Sequence, residues 1–169
     1  MIEGARLATE ADLEAMAELA DEGLAEQAES RGGSIWKRRE TRPTPFLASL
    51  HSAMLDPEQE LWVGTIDDVI VGYGSCRVEL LRDGDLLGVI DDFYVDSGTR
   101  GVGVGEAIIN EVTGWCTARN CVGIDALALP GNRHTKNFFE TFGFKARLIT
   151  VHHPLVAPDE EPRFVRPER

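Results

Sequence analysis

The stretch from Leu86 to Leu129 constrains the fold more than any other part of the chain. It reads as a strand, Leu86 to Val95, a loop with alternating glycines (Gly101, Gly103, Gly105), a helix from about Gly103 to Arg119, and a second strand, Cys121 to Leu129. The helix recurs in apolar residues at Ile108, Ile109, Val112, Trp115 and Cys116, the stripe of a helix laid on a core. Two strands joined through such a helix run parallel when they share a sheet. The runs before it ask for the opposite sense. Leu61–Ile66, Val69–Leu80 and Leu86–Val95 are separated only by Asp67-Asp68 and by Arg82-Asp83-Gly84-Asp85, turns short enough to dictate antiparallel pairing. The expected architecture is α/β: a mixed, mostly antiparallel central sheet flanked by helices, with a strand–glycine loop–helix unit inside it.

The remaining elements follow from local signals. Thr9 and Asp12 resemble a capping box, and Leu13, Met16, Ala17 and Leu19/Ala20 supply the apolar face of the helix behind it. Gly23 and the polar run to Ser34 weaken that helix, and Arg31-Gly32-Gly33-Ser34 reads as loop. Thr44-Pro45 opens a second helix with Phe46, Leu47, Leu50 and Met54 at helical spacing, ended by Asp56-Pro57. A short helix from about Asn132 to Thr141 is stopped by Gly143, and Phe144 to Val151 is expected as a closing strand. One domain is expected over residues 1–154. Residues 155–169, rich in proline and charge, are expected to form a poorly ordered tail.

Charge and cysteine content narrow the partners. With 17 basic and 29 acidic residues the net charge is -12, so phosphate backbones and anionic lipid are repelled, and neither nucleic acid nor membrane is an expected partner. The same acidity serves solubility, and draws cationic ligands only weakly at physiological salt. Met1 to Arg6 leads into no apolar run suited to a signal peptide, and nowhere do the roughly 18 apolar residues of a membrane span run together. Cys76, Cys116 and Cys121 match no zinc spacing and read as reduced structural thiols, which suits a cytoplasmic protein. No metal is expected.

Chemistry concentrates at the glycine loop. Glycine lets a ligand approach the backbone closely, and the N–H groups at the head of the following helix favour an anion. Arg100 adds a charged fork of donors, so the segment reads as a pyrophosphate cradle. Its spacing excludes two familiar cradles. A dinucleotide fingerprint starting at Gly101 or Gly103 meets Glu106 or Ile108 where glycine is required, and no Gly-Lys-Ser/Thr occurs for a P-loop. What remains is Arg100-x-x-Gly103-x-Gly105.

This pattern resembles the GNAT superfamily of N-acetyltransferases, whose central motif is Arg/Gln-x-x-Gly-x-Gly/Ala between a strand and a long helix. A second family signature, Asn-x-x-Ala-x-x-Phe-Tyr-Glu-x-x-Gly-Phe, is similar to Asn132 through Phe144 here, and the two blocks stand one helix and one strand apart, as in the family. The resemblance extends from Ala5 to about His153. It implies acetyl-CoA as cosubstrate. Its pyrophosphate would lie on Arg100, Gly101, Val102, Gly103, Val104, Gly105 and Glu106. Its pantetheine arm would lie along Phe93, Tyr94 and Val95, facing Asn132, with Phe138 and Phe139 lining the site. The strand Ile90-Asp91-Asp92-Phe93-Tyr94-Val95 also resembles that of the polyamine (spermidine/spermine) acetyltransferases, which carry Glu-Asp-Phe-Phe-Val there.

Acyl transfer to an amine needs a base for the amine proton and an acid for the leaving thiolate, each contributing about 10²–10⁴-fold. The family often uses the tyrosine of its Phe-Tyr pair as the acid, but Phe139 stands at that position and has no proton to give. The acid in the polyamine-enzyme motif falls on Asp91. Strict alternation would put Asp91 on one face with Val89, Phe93 and Val95, and Asp92 on the other with Tyr94. Asp91 among apolar residues should have a raised pKa suited to a base. Asp92 is the second candidate, and either carboxylate could instead brace a neighbouring loop. Tyr73 is a candidate substitute acid. Trp36, in a basic loop with Lys37, Arg38 and Arg39, is a candidate acceptor-site residue. His134 and one of His152 and His153 are weaker candidates. The expected reaction is acetyl transfer from acetyl-CoA to a small amine or a protein amino group by direct attack in a ternary complex. The alternative is a CoA-binding regulatory or sensor domain that lost efficient chemistry, as Phe139 would allow. The acceptor, the acyl-chain preference and the oligomeric state stay open, although the family often dimerises.

Overall fold

The computed structural model describes residues 1–156, and most of the expected tail lies outside them. Five strands form one sheet in sequence order: β1 (Glu3–Leu7), β2 (Gln59–Ile66), β3 (Val69–Leu80), β4 (Leu86–Val95) and β5 (Cys121–Ala126). β1 to β4 pair antiparallel, while β4 and β5 pair parallel. The helices are α1 (Leu13–Ala28), α2 (Gly33–Arg39), α3 (Phe46–Leu55), α4 (Val104–Ala118) and α5 (Arg133–Thr141). The mixed sheet flanked by helices is the architecture expected.

The described residues group into two compact units. The first joins Met1–Leu24 to Thr41–Leu127 and holds the whole sheet with α3 and α4; the second joins Ala25–Glu40 to the chain from Ala128 onward. In the first unit, one face of the sheet builds a core from Leu61, Val63, Tyr73 and Tyr94 against Leu13, Met16, Leu19 and Ala20 of α1 and Phe46, Leu50 and Ala53 of α3. On the other face, Val104, Ile108, Ile109, Val112 and Cys116 of α4 are buried. Trp115 of that helix meets Trp62 edge-on at 5.8 Å. The apolar stripe read along this helix is thus the stripe that packs.

α4 sits unusually low on the strands because glycines line the sheet beneath it. A Cβ at Gly64 would come within 2.6 Å of Val104 and 2.7 Å of Ile108, and one at Gly74 within 2.8 Å of Ile108. At Gly88 it would meet the Cys116 sulfur at 2.6 Å. The sulfurs of Cys76 and Cys116 lie 3.6 Å apart under the same helix, as free thiols.

Several local readings are corrected. β1 has little strand character in its own residues, and forms because β2 offers it a ladder from Glu3↔Ile66 to Leu7↔Trp62. Residues 33–39, read as loop, form α2, and α1 runs through Gly23 to Ala28, since Gly23 packs where a Cβ would stand 3.0 Å from the Tyr94 ring. The box at Thr9 closes with the Thr9 N–H donating to Asp12 Oδ2 at 2.7 Å, but it opens a 3₁₀ turn, Glu10–Asp12, ahead of α1. Phe144 to Val151 is not a strand; Leu148, Ile149 and Val151 are 77%, 79% and 91% exposed, so their β propensity has no neighbouring ladder to act on. His152 and His153 are both exposed, where alternation would have turned one inward.

The close seating of α4 is open to test. Gly64→Val forces a branched side chain into Val104 and Ile108, and is expected to cost about 2–3 kcal/mol, read as a lowered urea midpoint with an unchanged slope.

Candidate active site

The site is built where β4 changes partners. β4 pairs with β5 only from Leu86↔Cys121 to Ile90↔Ala126, whereas its pairing with β3 continues to Gly72↔Val95. The parallel ladder therefore ends at Ile90/Ala126, where β5 ends, and Asp91 is the first β4 residue beyond that point. Asp96 N–H donates to Val71 O at 2.8 Å, so the alternation of an antiparallel ladder turns the main chain of Tyr94 and Asp92 toward β3 and that of Phe93 and Val95 toward the β5 side.

Asp91 is also the extra residue of a β-bulge. Asp92 lies opposite Ser75 and Ile90 opposite Cys76, leaving Asp91 between them without a counterpart in the register. The bulge corrects the strict alternation expected from sequence. Phe93 and Val95 oppose Gly74 and Gly72 under α4, while Asp92 and Tyr94 oppose Ser75 and Tyr73 on the α1/α3 face. Asp91 keeps the company of Val89 but not of Phe93 or Val95, because it bonds Arg77, the residue opposite Val89 on that same α1/α3 face. Both carboxylates thus share a face.

They are held very differently. Asp92 is 9% exposed and forms an ion pair with Arg42, 7% exposed, at 2.5 Å. Arg42 Nε donates to the same oxygen at 3.1 Å, Ser75 Oγ donates to it as well, and Tyr73 donates to Oδ1 at 3.3 Å. The rest of the guanidinium is spent on Ser75 Oγ at 3.2 Å and on the carbonyl and hydroxyl of Ser49 in α3, both at 3.3 Å. Burial opposes the charge of Arg42, but Asp92 more than offsets it and the arginine pKa is raised. Burial, then the charge of Asp92, pushes the Tyr73 phenol well above its usual value, so it stays protonated with its hydroxyl committed to Asp92. Asp91, 31% exposed, is paired with Arg77 at 3.2 Å, and Arg77 in turn with Glu79 at 2.9 Å. Burial raises the Asp91 pKa, Arg77 opposes the rise and the charge of Asp92 adds to it. The elevation expected from sequence is present, for a carboxylate that also carries a partner.

Beyond Val95 the chain makes a 3₁₀ turn, Ser97–Thr99, and enters the glycine loop. Arg100 folds back, its Nε donating to Val95 O at 2.9 Å and its guanidinium lying 5.4 Å from the Tyr94 ring centroid. Gly101 has φ +83 with open space where a Cβ would stand. Gly103, the residue before α4, has φ +101, and a Cβ there would come within 3.1 Å of Glu3. Ala107 is the first residue of α4 whose N–H reaches back, to Gly103 O at 2.9 Å. The N–H groups of Val104, Gly105 and Glu106 precede any intrahelical acceptor and project from the helix head.

The structure thus gathers Asp91, Asp92, Tyr73, Phe93 to Val95 and Arg100 to Glu106 in the first unit. The other candidates belong to the second unit. Trp36 lies in α2, not in a loop. Asn132 caps α5, accepting from Thr135 N–H at 3.2 Å. Phe139 is buried, its ring 5.4 Å from Phe138 and 5.1 Å from Phe144, and Phe138 also packs on Phe142 at 4.9 Å. Arg42 and Ser75 escaped the sequence reading: nothing local marks an arginine after a basic run, or a strand serine, as partner to an aspartate 50 or 17 residues away. Among the described residues no cluster suited to a metal occurs, and no helix is long and apolar enough to cross a membrane.

Known proteins share this fold. The model of the acetyltransferase (GNAT) family matches residues 17–144. A search of curated proteins by sequence found no significant match. Among solved structures, a Bacillus halodurans protein crystallised as a tetramutant superposes with TM-score 0.77 at 24% identity, covering 92% of this chain and 100% of its own. Glucosamine-6-phosphate N-acetyltransferase from Arabidopsis thaliana gives 0.66 at 19%, with 92% and 100% covered. AAC(6')-Iy, bound to the bisubstrate analogue CoA-S-monomethyl-acetylneamine, gives 0.67 at 17%, with 93% and 100% covered. At these identities the likeness carries the fold.

The buried ion pair makes a direct prediction. Arg42→Met strands the Asp92 carboxylate among apolar neighbours, and is expected to lower stability by about 3–5 kcal/mol in chemical denaturation. An Arg42→Met/Asp92→Leu double variant should recover much of that loss, because no charge is then left unpaired.

Proposed function

The chain belongs to the GNAT acetyltransferase family, and we propose that it transfers the acetyl group of acetyl-CoA to a primary amine by direct attack in a ternary complex. The observation that carries this reading is the end of the parallel β4–β5 ladder at Ile90/Ala126, with the glycine loop and the head of α4 following the end of β4. The residues present suit CoA. The bare N–H groups of Val104, Gly105 and Glu106 and the positive end of the α4 dipole favour a pyrophosphate, and Gly101 leaves the room that a side chain would fill. Main chain at Phe93 and Val95, turned away from β3, is placed to run beside the pantetheine arm as an added strand would. Arg100, folded on Val95 O and Tyr94, serves this loop by fixing its shape.

Acetyl-CoA supplies an activated acyl group, and the chain's residues must manage protons. The amine nitrogen bonds to the thioester carbon, the C–S bond breaks, and CoA leaves as thiolate. Asp91, first beyond the β4–β5 ladder, accepts the amine's proton directly or through water; its raised pKa brings it nearer to working pH than an ordinary aspartate. Asp92 is already saturated by Arg42, Ser75 and Tyr73, and is the bracing carboxylate in this scheme. With phenylalanine at position 139, the thiolate takes its proton from solvent; a thiol pKa of about 8.5 makes it a fair leaving group without help. A cationic acceptor suits the acidic surface; the similar structures above are of glucosamine-6-phosphate N-acetyltransferase and of AAC(6')-Iy holding an acetylneamine-based bisubstrate analogue, so acceptors of unlike charge occur on this fold.

Two measurements test the reading. Acetyl-CoA should raise the melting temperature, because a ligand that binds only the native state stabilises it by mass action. Gly103→Val, strained at φ +101 and pressed on Glu3, should abolish that shift while the protein stays folded. In a thiol-release assay across an amine panel, Asp91→Asn should lower kcat by roughly a hundredfold with acetyl-CoA binding nearly intact. Full activity of Asp91→Asn across the pH range would move the base elsewhere. CoA binding with no turnover on any amine would favour a sensor domain over an enzyme.

A further inference from the structure

Two adjacent carboxylates on one face need something to keep them apart in role. Close like charges compete for ionisation, and whichever meets the stronger cation stays charged. In this chain the bulge places Asp91 and Asp92 together, and two arginines divide them. Arg77, on β3, takes Asp91 from the exposed side; Arg42, from the connection between α2 and α3, takes Asp92 from the buried side.

We propose that Arg42 is a positioning residue of the transfer reaction: by clamping Asp92 against Ser75 and Tyr73 it locks the β4 bulge, and so determines that Asp91 is the carboxylate presented where the β4–β5 ladder ends. The inference rests on the assignment of Asp91 as base. Its geometric basis is separate. The bulge is bounded by the pairs Asp92↔Ser75 and Ile90↔Cys76, and Arg42 bonds both members of the first pair, Asp92 at 2.5 Å and Ser75 at 3.2 Å. A slip of β4 by one residue would bring Asp91 opposite Ser75 and within reach of the same guanidinium, removing it from its place at the end of the β4–β5 ladder. Arg42 also grips the carbonyl and hydroxyl of Ser49, so the clamp ties the first turn of α3 to the bulge. An arginine fork can hold four groups at once; a lysine cannot.

The charged groups around Asp91 give the clamp an electrical signature. Asp92 adjoins it on β4, Arg77 faces it from β3 with Glu79 behind, Arg42 approaches from the α2–α3 connection, and the Cys76 thiol also feels its charge. Burial and Asp92 raise its proton affinity, while Arg77 and Arg42 lower it. Neutralising Asp92 therefore removes a raising influence and releases Arg42 toward Asp91, so Asp91 should titrate at lower pH. Arg42→Lys keeps the charge but loses the fork, so it should disturb geometry more than titration.

The test follows the Asp91 side-chain carboxyl by carbon-detected NMR titration in the whole protein, for wild type, Asp92→Asn and Arg42→Lys. For all three proteins kcat and KM are measured beside it by thiol release. The proposal expects Asp92→Asn to move the Asp91 titration, and with it the acid limb of kcat/KM, to lower pH by about half a unit or more. It expects Arg42→Lys to cut kcat about tenfold or more, with KM for acetyl-CoA within about twofold of wild type. An Asp91 titration unmoved by Asp92→Asn, or an Arg42→Lys enzyme whose kcat falls only with its folded fraction, overturns the proposal and leaves a plain structural ion pair. Failure of the acetyl-transfer reading looks different: wild type itself then gives no melting shift with acetyl-CoA and releases no thiol.

Discussion

The placement of α4 on the sheet is the contact on which the rest of this structure depends. A parallel neighbour for β4 can be reached only by a crossover, and the crossover helix can bury its stripe only by lying on the strands it connects. Gly64, Gly74 and Gly88 let it lie closer than side chains would allow, with Val104 and Ile108 filling the space above Gly64. Because Val104 is both the first residue of α4 and a buried one, packing fixes the head of the helix as firmly as its middle. The projecting N–H groups of the following turn therefore have a fixed direction, and a phosphate-binding end needs nothing less.

β4 carries a second burden. It is antiparallel to β3 along its length and parallel to β5 for only its first half, so beyond Ile90 the sheet pairs it on one side alone. A strand held by one ladder only has less to fix its register, and the bulge at Asp91 is the place where it would shift. The buried group of Arg42, Asp92, Ser75 and Tyr73 sits against that weak point. Removing two charges from water is costly and is tolerated only when the hydrogen bonding is complete; among the described residues no buried side-chain polar atom lacks a partner. The same arrangement separates two neighbouring aspartates into one saturated and one still within reach of solvent.

Much of this was legible in the chain. Val69–Leu80 and Leu86–Val95 were bounded correctly from period and turns alone, and the glycine loop with its following helix was placed to within a residue or so, because glycine, turn residues and a helical stripe act through local sterics. The motif Arg100-x-x-Gly103-x-Gly105 led to the family whose model matches residues 17–144. The elements missed were those without local identity: β1, which exists only as a partner to β2, and α2, whose Gly33-Ser34 start hid a short helix in an apparent loop. The strand expected at Phe144 to Val151 failed in the reverse direction, with propensity but no ladder.

By itself, then, the sequence determined the mixed α/β order, the turn-linked antiparallel strands, the loop suited to an anion and the presence of carboxylates on the strand before it. Each rests on interactions among residues a few positions apart. Tertiary structure decided which face each carboxylate takes and what holds it. A bulge breaks the two-residue period without leaving a mark in composition, and the guanidinium that selects Asp92 comes from 50 residues earlier. Alternation is a property of one strand, whereas a bulge is a property of a pair, and the charge state of a buried acid is a property of everything folded around it.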